Sequence, residues 1–337
     1  MRFRDVLCIT HPKPKDKATE ELFRKVLENT LETPYTWETE LSARGNKKEV
    51  WDELIASGKV GYMALLRNLR NIIQSGADIK PVLKIISSRE QVLKSRQMPF
   101  RFYSAYATLN WHCLMTSEIH SALEKALVTS VENMEPIRGR TLIAVDVSGS
   151  MGNPLSAKSI VTCGNLGVLL GAISSRLCDD ATVCYFNAAE YYGKLNEQGY
   201  IIKKYLPTDS ILEICHNDAN FNGCTQMDLP MNYALNVDEN RFSKPFDRII
   251  YLSDNECNAS DDGLDQPVQK LVNEYRKTYN RDFWVHAIDL QGYGTQQFKG
   301  DKFNLISGWN EKILSFVNLA EKGLNTLINT IQEYHIK

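Results

Sequence analysis

The sequence lacks the features that mark membrane-spanning, secreted and disulfide-stabilised proteins. No apolar run reaches the length of about 20 residues that a membrane helix requires. The start at 1–4 is basic, but the apolar stretch after it ends by His11 and is too short for a signal peptide. The eight cysteines are scattered without a Cys-x-x-Cys pair, which excludes a zinc ribbon and a thioredoxin motif. We therefore expect a cytoplasmic protein without a membrane segment.

The residue patterns of common enzymes are also missing. The six histidines form no cluster, and neither a Ser-His-Asp spacing nor a glycine-rich phosphate-binding loop is present. A phosphohydrolase of the haloacid dehalogenase type needs a second Asp two residues after Asp146, where this chain has Ser148. A two-metal nuclease needs a cluster of carboxylates, and Asp261, Asp262 and Asp265 are interpreted as solvated residues of a polar loop. These absences favour a binding protein over an enzyme.

Charge is divided unevenly along a chain whose net charge is only −2. Residues 1–140 carry 22 Lys and Arg against 17 Asp and Glu, whereas the remainder carries 17 against 24. The stretch 44–101 is the most basic, with 12 basic and 5 acidic residues. A basic first half suggests a polyanionic partner, and an acidic second half argues against such a partner there.

The first part of the chain, 1–136, predicts a series of short amphipathic helices. Apolar residues recur at helical spacing from Tyr62 to Ile73, and Gly76 stops that helix. The predicted helices lie at about 18–31, 47–57, 62–75, 78–88, from Pro99 through Leu109, and 116–131. Short helices joined by short turns are typical of an α-solenoid with HEAT-like repeats.

Aromatic residues are interleaved with basic ones in this region, and two interpretations remain open. Phe100, Phe102, Tyr103, Tyr106 and Trp111 have neighbours such as Arg96 and Arg101. Basic groups with interleaved aromatics can bind single-stranded nucleic acid. Aromatics at helical spacing can equally form a core, with the charges on a solvated face. The candidate nucleic-acid contacts are Lys13, Lys15, Arg67, Arg70, Lys84, Arg89, Lys94, Arg96 and Arg101.

From residue 137 to 337 strands and helices alternate, which predicts a doubly wound α/β domain. Strands are predicted at 141–145, 181–187, 248–252, 283–290 and 304–307, with short edge pieces at 201–202 and 211–214. Helices are predicted at about 155–177, 227–236 and 310–334. Gly164, Gly167 and Gly171 form a smooth stripe on the first of these helices, suited to close packing on a sheet.

An Asp-x-Ser-x-Ser pattern follows the first of these strands. Asp146, Ser148 and Ser150 would bring one carboxylate and two hydroxyls to its carboxyl end, where open α/β sheets bind ligands. Hard oxygen donors of low total charge suit Mg²⁺. The loop carrying Thr225 and the strand end at Asp254 add oxygen from two distant segments. The alternative, that Asp146 and Ser150 only cap the next helix, does not account for those later segments.

This set of oxygens resembles the metal-ion-dependent adhesion site of von Willebrand factor A (vWA) domains. The resemblance implies that Asp146, Ser148 and Ser150 hold a Mg²⁺ or another divalent cation from the first loop. It further implies that Thr225 contributes from the second loop and Asp254 from the third.

The combination of helical repeats and such a domain resembles the TROVE family, named for telomerase-associated, Ro and vault proteins, and specifically its Ro ribonucleoprotein branch. The matching motifs are RDVL at 4–7, HPKP at 11–14, LLRNL at 65–69, PF at 99–100, LIAVDVSGSM at 142–151, GCT at 223–225 and LPM at 229–231. The resemblance implies binding of small noncoding (Y-type) or misfolded RNA by a ring of repeats. Compared with the family pattern, this sequence begins where the ring of repeats is already well advanced, so we expect several upstream repeats to be absent and do not carry over their RNA contacts.

Two functions follow from these expectations. The first is RNA binding through the basic helices, combined with Mg²⁺-dependent docking of a ligand at the vWA domain. The second is a protein adaptor without RNA, whose metal grips a partner's carboxylate. Leu22, Phe23, Val26 and Leu27 form a large apolar face that a terminal repeat must cover. We expect the segment 6–9 to cover it, which gives an open-crescent monomer. The alternative is a homo-oligomer, in which another copy of the chain covers this face.

Overall fold

The computed structural model describes residues 2–32, 34–189, 195–236, 244–256, 267–294, 298–310, 312–323, 328 and 331–333. The chain forms two compact units, Met1–Gly61 with Asn71–Ile79, and Tyr62–Arg70 with Lys80–Lys337. Asp261, Asp262 and Asp265, interpreted above as solvated, lie outside the described residues, as does most of the chain beyond 323.

Within the described residues, ten α-helices precede the sheet: α1 (Phe3–Thr10), α2 (Lys17–Glu28), α3 (Trp37–Arg44), α4 (Lys48–Ala56), α5 (Tyr62–Arg67), α6 (Leu69–Ser75), α7 (Lys80–Ile86), α8 (Arg89–Ser95), α9 (Pro99–Trp111) and α10 (Ser117–Ser130). The α/β part contains β1 (Ile137–Asp146), α11 (Cys163–Leu177), β2 (Cys178–Phe186), β3 (Tyr200–Lys203), α12 (Ile211–Asn217), α13 (Leu229–Leu235), β4 (Arg248–Ser253), α14 (Pro267–Thr278), β5 (Trp284–Asp289), β6 (Phe303–Ser307) and α15 (Ser315–Glu321). The predicted class, helices followed by an α/β domain, is confirmed.

In the first unit, helix α4 buries Val50, Trp51 and Leu54, which are at most 1% exposed, and Ile72 of α6 is fully buried as well. The indole of Trp51 donates a hydrogen bond to the amide oxygen of Asn46 at 2.6 Å, which satisfies its polar atom. Helices α1, α2 and α3 contain no buried residue. Helix α1 packs on α2, yet Leu22 on α2 remains 48% exposed.

The long helix predicted over 62–75 is interrupted at Asn68, so α5 and α6 are separate. The side-chain amide of Asn68 donates to the carbonyl of Ala64 at 2.9 Å, and the Asn68 backbone N–H donates to the same carbonyl at 3.0 Å. An Asn side chain that competes for a main-chain acceptor weakens the regular helical pattern. The helical spacing of apolar residues in this segment could not predict that competition.

The sheet has the order β3-β2-β1-β4-β5-β6, with β3 antiparallel to β2 and all other pairs parallel. The parallel strands β1, β2, β4 and β5 therefore end at the same edge of the sheet. Every residue of β4 is buried, and so are the last seven residues of β1. These two central strands have helices on both faces, which explains their continuous apolar sequence.

Two of the three glycines of the predicted stripe, Gly167 and Gly171, allow α11 to lie close to the sheet, whereas Gly164 faces the ring of Phe221. A methyl group at Gly167 would come within 3.1 Å of Val145, and one at Gly171 within 3.3 Å of Val145 and Val183. Helix α11 begins at Cys163, whereas the helix was predicted from about 155, and the preceding residues form a loop closed by a bridge between Pro154 and Thr162.

The segment 211–214 is part of helix α12, and the prediction of an edge strand there is wrong. Its N-cap Ser210 accepts a hydrogen bond from the backbone N–H of Glu213. The carboxylate of Glu124 on α10 accepts from the N–H groups of Ile211 and Leu212, both at 2.9 Å. A carboxylate at a helix N-terminus satisfies unpaired N–H groups and interacts favourably with the helix dipole.

Candidate metal centre and nucleic-acid interface

Asp146 ends β1 at the centre of the sheet, and its side chain is fully buried. One carboxylate oxygen, Oδ1, accepts the backbone N–H of Ser148 at 2.8 Å, and the other, Oδ2, accepts the hydroxyl of Ser253 at 2.6 Å. Burial raises the pKa of Asp146 to about 7; the hydrogen bonds from Ser253 and Ser148 oppose that rise, and the like charge of Asp254 adds to it. A carboxylate in this position favours a neighbouring cation.

The two serines of the first loop face each other. The hydroxyl oxygens of Ser148 and Ser150 lie 3.2 Å apart, and Ser148 is 1% exposed. Neither serine caps a long helix, because the turn at Gly149–Gly152 is a single 3₁₀ segment and α11 is capped by Thr162. The interpretation of this loop as a helix cap therefore fails.

The loop that carries Thr225 is joined to the first loop by two main-chain hydrogen bonds. Gly149 donates to the carbonyl of Gly223 at 3.0 Å, and Asn222 donates to the carbonyl of Val147 at 3.0 Å. A side chain at Gly149 would contact the Gly223 carbonyl, at 3.5 Å from its Cβ. Thr225 is 1% exposed. The structure thus brings the second predicted segment beside the first.

The third segment follows β4. Asp254 comes directly after Ser253, whose hydroxyl contacts Asp146, and its side chain is fully buried. The charge of Asp254 acts on the pKa of Asp146, which places the two carboxylates within electrostatic range. One carboxylate oxygen of Asp254 accepts the backbone N–H of Glu256 at 3.2 Å.

The chemistry of this donor set fits a hard divalent cation. Two buried carboxylates of like charge lie with three hydroxyls at one edge of the sheet, and burying like charges together is unfavourable without a compensating cation. Among the described residues, no group of three or more His, Cys, Asp or Glu side chains could hold a metal, so a zinc-type ligand set is not seen there. Oxygen donors of this kind match Mg²⁺.

Two further side chains hold the candidate metal loops in place, and neither was predicted. The side-chain amide of Asn187, after β2, donates to the carbonyl of Asn222 at 3.0 Å, and the backbone carbonyl of Asn187 accepts the N–H of Gln226 at 2.6 Å. Gln291, after β5, donates to the carbonyl of Ser150 at 2.9 Å. Asn187 is the last residue of one predicted strand and Gln291 follows another, so a search for polar residues at every strand end would have found them.

The predicted nucleic-acid contacts fall into separate groups. Arg67 on α5, Arg70 at the start of α6 and Arg101 on α9 line one groove between α5 and α9. Lys84 lines a second groove, beside α10. Arg89, Lys94 and Arg96 belong to α8 and its C-terminal cap, and Arg89 pairs with Glu132 at 2.5 Å. Lys13 and Lys15 are exposed between α1 and α2 in the first compact unit.

The aromatic residues of this region are mostly core. Phe102, Tyr103 and Tyr106 are at most 6% exposed, which confirms the core interpretation for them. Phe100 packs edge-on against Trp309, with ring centroids 4.8 Å apart. Trp111 differs from the others because it is 72% exposed.

Comparison with known proteins gives two family matches. A TROVE domain covers residues 28–112, and a Ro60 vWA domain covers residues 140–290. The RNA-binding protein RO60 of Caenorhabditis elegans is 27% identical over 271 residues, which are 74% of this chain and 38% of that protein. Telomerase protein component 1 of rat and of mouse is 46% identical over 83 residues, 24% of this chain and 3% of those proteins. The chain spans less than half the length of these relatives.

The fold is also that of a solved relative. The crystal structure of the Deinococcus radiodurans RO (RSR) protein superposes with a TM-score of 0.66 at 18% identity, covering 95% of this chain and 70% of that chain. None of the helices within the described residues is long and apolar enough to cross a membrane. With a TROVE domain followed by a Ro60-type vWA domain, the chain belongs to the Ro branch of the TROVE family.

Proposed function

We propose that this protein binds single-stranded or small noncoding RNA through its basic helices and docks a second ligand at a Mg²⁺ site in the vWA domain. The observation that carries the RNA part is the exposure of the basic residues within a TROVE-family chain. Arg67, Lys84, Lys94, Arg96 and Arg101 are all exposed. The similarity to the C. elegans RNA-binding protein supports the same function.

The binding energy in this proposal is mainly electrostatic. Each Lys or Arg that neutralises a phosphate releases a condensed counterion. For a single strand, each such contact makes the slope of log K against log salt more negative by about 0.7. The core position of Phe102, Tyr103 and Tyr106 removes them as stacking platforms. Charge rather than stacking therefore accounts for most of the affinity.

The metal part of the proposal assigns five donors. Asp146 and Asp254 would offset the two charges of the ion, and hydroxyl oxygens would come from Ser148, Ser150 and Thr225. Bound Mg²⁺ would supply a Lewis-acidic centre with an open position for water or for a partner's carboxylate, because five protein donors are one fewer than an octahedral ion takes. This docking site also serves the alternative function, a protein adaptor without RNA.

A binding titration tests the RNA part. Fluorescence anisotropy of a labelled single-stranded oligonucleotide should show binding at low salt and a steep loss of affinity as salt rises. Charge reversal at Arg67, Arg70, Lys94 and Arg96 together should weaken binding and flatten the slope. The matched control reverses Lys277 and Arg281, two exposed basic residues of the vWA domain, and should leave the slope unchanged. Absence of binding by the wild type at low salt would favour the adaptor.

A second variant separates the two sites. Asp146→Ala removes one of the two proposed carboxylate ligands without altering the basic helices. It should abolish Mg²⁺ binding, measured by calorimetry, while the oligonucleotide affinity stays nearly constant. Equal loss of both activities in a correctly folded variant would show that the two sites are not independent.

A further inference from the structure

The groove between α5 and α9 has the chemistry of a nucleotide site. It has a volume of about 240 Å³, and its charged lining residues are Arg67, Arg70 and Arg101. The hydroxyl-bearing residues Ser104 and Thr108 of α9 also line it. All charged groups at the groove are therefore arginines, whose planar fork of donors matches the oxygens of a phosphate.

An exposed aromatic ring, that of Trp111, follows the groove-lining residues of α9 along the same helix. Trp111 lies seven residues after Ser104, which places the two side chains on the same face of α9, two turns apart. The next residue, His112, contacts Arg70 through its ring nitrogen Nε2 at 3.2 Å from Nη1. This contact joins the residue that caps the C-terminus of α9 to an arginine in the first turn of α6. Trp111 is 72% exposed, whereas the other aromatics of α9 are buried or pack on neighbours.

We propose that this groove holds one nucleotide unit of single-stranded RNA, with the backbone phosphate at Arg67, Arg70 and Arg101 and the adjacent base stacked on Trp111. The inference rests on the proposed RNA binding and names the part of the surface where a base is contacted. A single strand fits because its bases are unstacked and free to lie on an aromatic ring, whereas those of a duplex are not. The groove beside α10 differs because its lining contains the carboxylate of Glu118, whereas the charged residues that line this groove are all arginines.

The role of Trp111 differs from that of the arginines, and the difference can be measured. Stacking acts on the base, so removal of the ring lowers affinity for an oligonucleotide but not for its abasic analogue. Removal of an arginine lowers affinity for both. From the usual contribution of base stacking, Trp111→Ala should weaken binding of a uridine oligonucleotide by about 5- to 150-fold.

The experiment compares Trp111→Ala, Trp111→Phe and Phe316→Ala in the whole chain, with the uridine oligonucleotide and its abasic analogue as probes. Phe316 is 46% exposed on α15, so its variant controls for loss of an exposed aromatic ring elsewhere. We expect weaker oligonucleotide binding for Trp111→Ala, near-complete recovery for Trp111→Phe and no effect for Phe316→Ala. Circular dichroism spectra that match the wild type establish that the exposed substitutions leave the fold intact.

Several outcomes would overturn the inference. If Trp111→Ala binds the uridine oligonucleotide as the wild type does, the base is not stacked there, although RNA binding itself would stand. If it loses affinity equally for both probes, Trp111 supports the arginines and contacts no base. A groove that prefers an acidic peptide to the oligonucleotide would be a protein-docking surface. Failure of the wild type to bind any oligonucleotide at low salt would instead refute the proposed function.

Discussion

Replacement of Asp146 by Asn tests whether this buried carboxylate serves a cation at the expense of stability. In metal-free protein the pKa of Asp146 is raised by burial to about 7, against 3.8 for an ordinary Asp. A difference of about three units corresponds to about 4 kcal/mol of folding free energy. Because the folded pKa is raised, the folded state is penalised when the group ionises. The penalty is absent below pH 4, grows as the pH rises and is complete above pH 7.

The Asn variant removes this penalty and loses little else. Its side chain keeps an acceptor for the Ser148 N–H, and it exchanges the acceptor facing Ser253 for a donor, which costs about 1 kcal/mol. We therefore expect Asp146→Asn to be more stable than the wild type by about 3 kcal/mol at pH 8 in the presence of a chelator. The difference should disappear as the pH falls towards 4.

The assay is urea unfolding monitored by tryptophan fluorescence. It is carried out first with a chelator and then with increasing concentrations of Mg²⁺. Wild-type stability should rise with Mg²⁺, by about 2.7 kcal/mol at a concentration one hundred times the dissociation constant. The variant should not respond. Asp301→Asn, at an exposed position, controls for a general change in charge. An equal Mg²⁺ response in both proteins, or a less stable variant at pH 8, would refute the reasoning.

Other predictions concern stability and assembly. Glu124→Ala should destabilise the fold by about 2–3 kcal/mol in urea unfolding, because the N–H groups of Ile211 and Leu212 lose their carboxylate, and Glu124→Gln should cost less. Burial lowers the pKa of His286, so protonation of this residue favours the unfolded state. The urea midpoint of unfolding should therefore fall as the pH drops below 6.5, and His286→Asn should make the midpoint less dependent on pH. Light scattering should show a monomer without RNA, and a stable RNA-free oligomer that Phe23→Asp dissociates would contradict this.

Much of the α/β domain was predictable because strands that are buried on both faces have continuous apolar sequences, which can be recognised directly. The segments 141–145 and 248–252 are continuous apolar runs, as expected of central strands covered on both faces. The polar residues after these strands then had to meet at one edge, since parallel strands end on the same side. The positions of Asp146 and Asp254 follow from that rule.

Other features depend on contacts between residues far apart in the chain. The apolar residues at 211–214 fit a strand or a helix equally well, and Glu124, more than 80 residues earlier, satisfies the first N–H groups of a helix there. The break at Asn68 depends on which acceptor its side chain selects. The groove lined by Arg67, Arg70 and Arg101 exists because α5 and α9 pack together, which the spacing of charges alone did not indicate.

Crosslinking of the protein to 4-thiouridine RNA, with identification of the linked peptides, tests the central claim most directly. We predict crosslinks on α5, α8 and α9, including the peptide that carries Trp111, and their loss when Arg67, Arg70, Lys94 and Arg96 are reversed in charge. The crosslinks should be unaffected by Asp146→Ala. Crosslinks confined to residues 137–337, or crosslinks that persist in the charge-reversed protein, would contradict the assignment of RNA binding to the basic helices.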